Sequence, residues 1–470
     1  VFPQKTALKL MYGRIDSEEI MKKPKPKKLW TSEFKPDELI ERFTIGEDRE
    51  VDMYLAEFDV LGSIAHVIML HQISILSLEE MAALRTELIN IYEDILSGQF
   101  KMEEGVEDIH SQVELNLTEK LGDIGKKIHT GRSRNDQVLL DIRLFSRSQI
   151  EQIVSAAQNL FKTLMQLSEK YAKVHMPGFT HTQAAMPSSF GLWFAAFAES
   201  LVDDMIQLKA AYDIINKNPL GSAAGYGSSF PLNRTLTTDL LGFEHLNINS
   251  IYAQMGRGRS ERILSQAIVS LAETVGKMAN DIIYYSSQNY NFISFPDSLI
   301  SGSSIMPHKK NPDVFELMRA TCNQIKNLPN EIMLVMSNLL SGYHRDFQIL
   351  KKNFIIAFIN LKECLQILDY CLHQIQIRED IMEDEKYLYL YSVEAVNIYV
   401  KQGMAFRDAY HKVADEIETG KYTKPQNLIH THEGSKDNLS NQVIRELMEK
   451  VLNEFNFKKV EKALKDLRKK

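Results

Sequence analysis

Cysteine is scarce in this chain of 470 residues. The three present, Cys322, Cys364 and Cys371, form no CxxC pair. They offer no disulfide framework and fit a reducing compartment. Long apolar runs are missing too: nothing approaches the roughly 18 uncharged apolar residues that a membrane-spanning helix needs. The opening thirty or so residues lack the apolar segment of a secretory signal. Positive charge is not in excess: 55 Lys and Arg stand against 62 Asp and Glu, a net charge of −7. A general nucleic-acid binder would want a basic face. No motif recurs with a period of about 20–50 residues, which excludes a solenoid. These absences predict a cytoplasmic protein that binds neither nucleic acid nor membrane.

Proline and glycine are absent from several unusually long stretches. Residues 136–174 contain neither, 346–377 contain neither, and 260–290 contain only Gly276. Within the first, Ile150, Ile153, Val154, Ala157, Leu160, Phe161, Leu164 and Leu167 recur three and four apart, the spacing of one helix face. An unbroken helix of that length reaches about 58 Å at 1.5 Å per residue. A compact globule of this size has a radius of gyration near 23 Å. The mismatch predicts an elongated helical bundle that associates with copies of itself. The pattern is not the sustained heptad of a coiled-coil scaffold. Cys364 and Cys371, seven apart in an apolar stretch, fit packing on one helix face. "KKPKPKK" at 22–28 reads as a solvated tail, or as an anionic-surface or nuclear patch. Met21 is a possible natural start.

The helices are separated by polar segments of unusual composition. "KIHTGRSRNDQV" sets Gly131 beside Arg132 and Arg134, forked cations suited to a carboxylate, with Ser133 and Asn135 as hydrogen-bonding company. A capping loop accounts for Asp136 but not for the arginines and the asparagine. "HMPGFTHTQAAMP" places His181 among Thr180, Thr182 and Gln183. Histidine is the side chain most readily tuned to exchange a proton near neutral pH, though a lone one is commonly structural. "GSSIMPHKKNPD", from Gly302 to Asp313, combines small residues that let backbone amides approach a ligand with the charges of Lys309 and Lys310. That suits an anion, or negative charge that appears only in a transition state. It lacks the GxxxxGK[ST] spacing of a phosphate loop. "HTHEG", from His430, has no third spaced ligand and predicts no metal site.

"GSSIMPHKKNP" resembles the GSSxMPxKxNP signature of the fumarase/aspartase superfamily, whose members expel an amine or water to release fumarate. Within it, "HTGRSRNDQV" is similar to the first conserved region of the argininosuccinate lyases. "PGFTHTQAAMP" is similar to their PGYTHLQxAQP, and "YHRDFQILKK" to their Y-N-K-D-L-Q-E-D-K. The resemblance runs from about Leu29 to the C-terminus. It implies an all-α fold in which a central bundle of long helices lies between two smaller helical domains. Four subunits pool their bundles into a twenty-helix core, and each active site draws on three of them. The reaction implied is cleavage of argininosuccinate to arginine and fumarate, with no metal or organic cofactor. The expected division is a tail at 1–28, an N-terminal helical domain at 29–135, the bundle at 136–386 and a C-terminal helical domain at 387–470.

The roles follow from the resemblance, position by position. Ser303 matches the proposed base. Lys309 and Asn311 match residues holding the fumarate-side carboxylates. His181 matches the family histidine, and Glu316 the carboxylate that pairs with it. Ser133, Arg134, Asn135 and Thr180 fall on substrate-binding positions, Tyr343, Gln348 and Lys351 on those for the arginine half, and His110 on a further histidine near the site. Asp52 matches an aspartate facing the substrate amino group. Asp48 departs from the pattern, standing where other members carry a binding serine. Ala223, in "PLGSAAG", replaces a common glycine, a small packing change by expectation. Two other readings stay open. One is a sister lyase such as adenylosuccinate lyase, against which "GRSRND" argues. The other is a catalytically silent protein of the lens delta-crystallin kind.

Overall fold

The computed structural model describes residues 38–426 and 428–469. The Lys/Pro-rich stretch at 22–28, Met21 and the first residues of the expected N-terminal domain lie outside these. The longer helices, labelled here in chain order, are α1 (Ala56–Gln72), α2 (Leu78–Leu96), α3 (Ile109–Leu121), α4 (Arg134–Lys170), α5 (Phe190–Ile215), α6 (Arg259–Tyr285), α7 (Asp313–Ile325), α8 (Leu350–Leu372), α9 (Ser392–Lys401), α10 (Phe406–Glu418), α11 (Asn441–Leu452) and α12 (Phe457–Leu467). Strands among the described residues occur only as short two-stranded pairs.

Helix α4 forms because nothing in its 37 residues breaks the ladder and because its ends are defined. Ser133 caps it: its Oγ accepts from the Asn135 amide at 3.2 Å, while Asp136 Oδ1 accepts from the Ser133 amide at 2.8 Å. The eight apolar residues spaced along its face, from Ile150 to Leu167, are all buried. Ala157 aside, each such burial contributes roughly 1.5–3 kcal/mol relative to exposure. Helices α4, α5, α6 and α8 close a ring in which α4 packs on α5, α5 on α6, α6 on α8 and α8 on α4. Helix α7 lies along α6, and α1 lies on α4. Helices α9 and α10 pack on each other around a separate small core of Ala395, Val396, Ala409, Val413 and Tyr422.

The helices are shorter than the Pro- and Gly-free stretches. Residues 345–349 form a tight 3-10 turn before α8, because Arg345 and Gln348 reach back to the carbonyl oxygen of Thr44. After α6 the chain turns through Asn291, whose φ is 47°. Cys322, Cys364 and Cys371 are free thiols, all buried. No single helix among the described residues is long and apolar enough to cross a membrane. The bent pair 39–52 and 56–72 passes on length and composition alone, at 84°, but α1 is buried within the molecule.

Two hairpins carry polar segments singled out in the sequence. Strands β1 (His175–Thr180) and β2 (Gln183–Ser189) pair antiparallel, with Thr180 opposite Gln183. Strands β3 (Ser301–Gly302) and β4 (Lys310–Asn311) enclose the loop 303–309.

Candidate active site

The N-terminus of α4, the segment before α3, the five-residue helix Asp48–Asp52 and the segment preceding α8 converge on a cleft of about 200 Å³. Its wall includes eight of the expected residues: Asp48, Asp52, His110, Arg134, Asn135, Tyr343, Gln348 and Lys351. These positions lie some 300 residues apart in sequence. Glu107, Asp108, Val138, Arg257 and Arg345 complete the wall. Four carboxylates therefore face four fixed cations, which suits a ligand carrying charges of both signs.

The charges are tied to one another. Lys351, buried, donates to Asp52 Oδ1 at 2.6 Å and sits 2.9 Å from Asp48 Oδ1. Burial disfavours its charge, but Asp52 and Asp48 outweigh burial and hold its pKa above the usual lysine range. Asp48 is left as the surplus anion. Burial, helped by Asp52, pushes its pKa up to about 6 against the pull of Lys351. Arg134 donates to Ser111 Oγ at 2.7 Å and pairs with Asp108 at 2.9 Å and Glu107 at 3.4 Å. Arg345 donates to the other oxygen of Glu107 at 2.7 Å and to Gln348 Oε1 at 3.0 Å. Arg257, buried, pairs with Glu261 at 2.5 Å and donates to the Phe347 carbonyl. His110 rests its Nδ1 on Asp59 Oδ1 at 2.7 Å. Burial opposes its charge, yet Asp59, Asp141 and Asp108 raise its pKa to about 9. His129 goes the other way: burial, then Arg132 and Arg134, lower it to about 4.

Ser133 does not line the cleft; its hydroxyl serves as the helix cap. Arg132 is buried and donates to Ser63 Oγ at 2.9 Å. Asp136 sits inside the helix and accepts from the amides of Gly221 and Ala223, both at 2.9 Å, which moors the "PLGSAAG" loop to α4. Ala223 corrects an expectation. The change from glycine is one of backbone as well as packing, because Ala223 has a φ of 50°, a left-handed conformation that a β-carbon disfavours by about 1–2 kcal/mol.

The other expected residues lie elsewhere. His181 and Thr182 form the exposed tip of the β1–β2 hairpin, with Thr180 beside them. Both tip residues have positive φ, 52° and 60°, a two-residue turn that ordinarily favours Asn-Gly. Ser303 lies in the β3–β4 loop, where its Oγ accepts from the amides of Met306 at 3.0 Å and Ile305 at 3.3 Å. The two lysines differ: Lys310 is paired with Asp297 at 2.6 Å, whereas Lys309 is exposed and has no ion pair among the described residues. Asn311 donates to Ser301 Oγ at 3.4 Å. Glu316 is exposed on the first turns of α7. Among the described residues of one chain, no ion pair joins His181 to Glu316. The geometry of α4 separates the expected pieces further. Arg134 opens that helix and β1 follows its end, so about 56 Å of helix intervenes. A six-residue strand folding straight back recovers only about 20 Å.

Among the described residues, Asp59, His110 and Asp141 are the one group of His, Cys, Asp or Glu with ligand atoms close enough to hold a metal, all within 4.8 Å of one another. In "HTHEG", His430 Nε2 lies 2.8 Å from Glu394, and His432 turns to the carbonyl of Glu433.

A family model described as "Lyase" matches residues 32–326. The argininosuccinate lyase of Bacteroides fragilis is 57% identical over 440 residues, covering 94% of this chain and 98% of that protein. The chain belongs to the argininosuccinate lyase family. The Thermotoga neapolitana member is more distant, 38% identical over 389 residues, covering 83% of this chain and 98% of that one. An EDDS lyase solved with formate superposes with a TM-score of 0.73 at 22% identity, covering 91% of this chain and 93% of that one. That likeness establishes the all-α fumarase-like fold. A carbon–nitrogen lyase on this fold accounts for a cleft that is rich in matched charge.

Sequence reasoning missed six charged side chains of this cleft or its floor. Arg345 had a signal, since it lies between Tyr343 and Gln348 where the family motif carries lysine. Glu107 and Asp108 stand just before His110, with Ile109 between. Asp59, Arg257 and Asp141 had none: each is an isolated charged residue within or beside a helix.

Proposed function

We propose that this lyase cleaves argininosuccinate to L-arginine and fumarate by β-elimination, in a cytoplasmic homotetramer whose active sites are shared between subunits. The observation that carries the substrate is the charge-matched cleft. It gathers Asp48, Asp52, His110, Arg134, Asn135, Tyr343, Gln348 and Lys351, and argininosuccinate bears a guanidinium, an ammonium and several carboxylates. The relatives named argininosuccinate lyase favour this substrate over a nucleotide one.

In the reaction, the C–H bond next to a substrate carboxylate breaks first and the proton passes to a base. Charge accumulates on a carboxylate that is already negative, so preorganised cations and amides lower the barrier. The C–N bond then breaks, the carbon–carbon double bond of fumarate forms, and the departing guanidino nitrogen takes a proton. Ser303 is the base in this reading. Its oxygen already accepts two amides, which would stabilise the alkoxide that a serine base requires. Lys309, without an ion pair among the described residues, and Asn311 hold the fumarate-side carboxylates. His181, paired with Glu316, supplies the proton to nitrogen, and Thr180 orients the substrate. A His–Glu pair raises the imidazole pKa and so favours proton storage.

Sharing between subunits is supported by three features. The first is the length of α4 between Arg134 and His181. The second is exposed apolar surface on bundle helices: Ile206 on α5, Leu317 on α7 and Tyr370 on α8 are each more than half exposed. The third is backbone strain at His181 and Thr182, a feature that gathers at functional sites. A cytoplasmic location accords with three unpaired thiols. The test is direct. Purified protein with argininosuccinate should release fumarate, followed by its ultraviolet absorbance. Absence of turnover would favour the silent, crystallin-like reading.

A further inference from the structure

Behind the cleft, two carboxylates converge on one ring nitrogen. His110 Nδ1 lies 2.7 Å from Asp59 Oδ1, on α1, and 3.6 Å from Asp141 Oδ2, on α4. Asp59 and Asp141 are 2% and 1% exposed, and neither lines the cleft. Asp59 Oδ1 also receives Gln137 Nε2 at 3.4 Å, while Asp59 Oδ2 and Asp141 Oδ2 are buried without a hydrogen bond among the described residues. Leaving a buried acceptor unsatisfied costs about 1–3 kcal/mol. A tie between three helices needs one carboxylate, not two. With Nδ1 committed to Asp59, the ring's other nitrogen, Nε2, is the one left for the cleft that His110 lines.

We propose that Asp59 and Asp141 are positioning residues for His110. They fix the ring so that Nε2 faces the cleft, and they keep it a cation whose N–H meets a substrate carboxylate. This rests on the reading of the cleft as the argininosuccinate site. The surroundings agree. On the ring's own segment, Asp108 adds negative charge, partly offset by Arg134 at 2.9 Å. From the short helix before α1, Asp52 is neutralised by Lys351. From the turn before α4, the buried Arg132 is a cation facing Asp59 and Asp141, whereas His129, lowered to about 4, is neutral here. Burial alone would discharge the ring, but the carboxylates, Asp59 foremost, raise its pKa to about 9; Asp141 is itself pushed well above the usual carboxylate range by burial and by Asp59, so it is the weaker anion of the two. The cation is thus present below about pH 9 and lost above it.

The test is the pH profile of kcat/KM for wild type, Asp59→Asn, Asp141→Asn and Asp59→Glu. Wild type should keep an alkaline limb near pH 9. Asp59→Asn should move that limb down by about two pH units, so that KM at pH 8.5 rises tenfold or more yet returns to within threefold of wild type at pH 6; Asp141→Asn should move it in the same direction by less. Asp59→Glu should restore most of the wild-type profile. In a His110→Gln background, Asp59→Asn should add no further loss. A KM defect equal at all pH values, or an additive loss in that background, overturns the proposal. So does activity removed by a chelator and restored by a divalent cation, since the trio would then hold a metal. Titration of the His110 ring by NMR of histidine-labelled protein, assigned with His110→Gln, gives a reading that needs no turnover. A wild-type midpoint below 7 also overturns the proposal. A wild type that releases no fumarate, with the ring still titrating near 9 and falling in Asp59→Asn, would instead refute the functional reading alone.

Discussion

Replacing Asp48 by serine, the residue other family members carry there, tests whether the cleft holds one carboxylate too many. Lys351 can neutralise only one of its two partners, and Asp52 is the nearer at 2.6 Å. Asp48 accordingly titrates at about 6 rather than 3.8. Between those values the folded chain retains a proton that the unfolded chain has released, so stability falls as pH rises through that window. Above about pH 6 the penalty is complete, and the displacement corresponds to about 3 kcal/mol. Serine removes this titration. It also loses the contact with Lys351 and an acidic group in the first turn of helix Asp48–Asp52, the latter a contribution of about 0.3–1 kcal/mol. The stability of Asp48→Ser relative to wild type should therefore rise by about 2–3 kcal/mol between pH 4 and pH 8.

Urea unfolding of both proteins at one fixed protomer concentration, at each pH from 4 to 8, measures this difference. The gain should accrue below about pH 6.5 and then level off. A stability difference that is flat with pH, or that moves against the variant as pH rises, refutes the reasoning. Activity supplies the counterpart. If the surplus anion serves to attract the substrate's ammonium, KM should rise by up to about tenfold, equivalent to about 1.4 kcal/mol. An unchanged KM together with reduced stability would remove Asp48 from binding altogether.

Ser303→Ala should lower kcat by at least about a hundredfold while substrate binding by calorimetry survives, because a base acts on the transition state rather than the ground state; near-normal turnover would leave the β3–β4 loop with a binding role only. An inactive His181→Asn chain and an inactive Arg134→Ala chain, refolded together, should recover part of wild-type activity by forming mixed tetramers in which some sites receive both intact residues. No recovery at any mixing ratio, or a fully active monomer by light scattering, would count against shared sites.

What the sequence made legible was periodicity and local motif. The stripe from Ile150 to Leu167 is buried as its spacing predicted, and the polar loops fall at helix ends and hairpins. Eight of the expected positions meet in one cleft because family motifs carry three-dimensional information that a single stretch does not. The ends of helices were less legible. Nothing in residues 346–349 announces a 3-10 turn, because its cause is Thr44, some 300 residues away. The buried partners of His110 were hidden for a similar reason. Asp59 and Asp141 sit inside apolar helices, where an isolated aspartate gives no sign of which residue it will face. The left-handed backbone at Ala223 was invisible for a different reason, since alanine disfavours that conformation and its amide's hydrogen bond to Asp136, far off in sequence, accompanies it.

The division of labour within one chain follows from helix length. The cleft at the start of α4 is nearly complete electrostatically: apart from the surplus Asp48, its cations and carboxylates are paired before any ligand arrives, so binding asks mainly for exchange of partners rather than burial of lone charges. The groups proposed for chemistry are not. Among the described residues, Lys309, His181 and Glu316 make no ion pair. The His181–Thr182 turn is held in a backbone conformation that such residues avoid. An exposed hairpin tip has little local packing to sustain such strain; in the shared-site proposal, a docking surface from another subunit supplies the missing constraint. A helix of about 56 Å cannot bend its two ends into one site, but copies packed antiparallel can place the end of one beside the start of another. On this account, the long uninterrupted helices and the polar loops between them answer a single requirement.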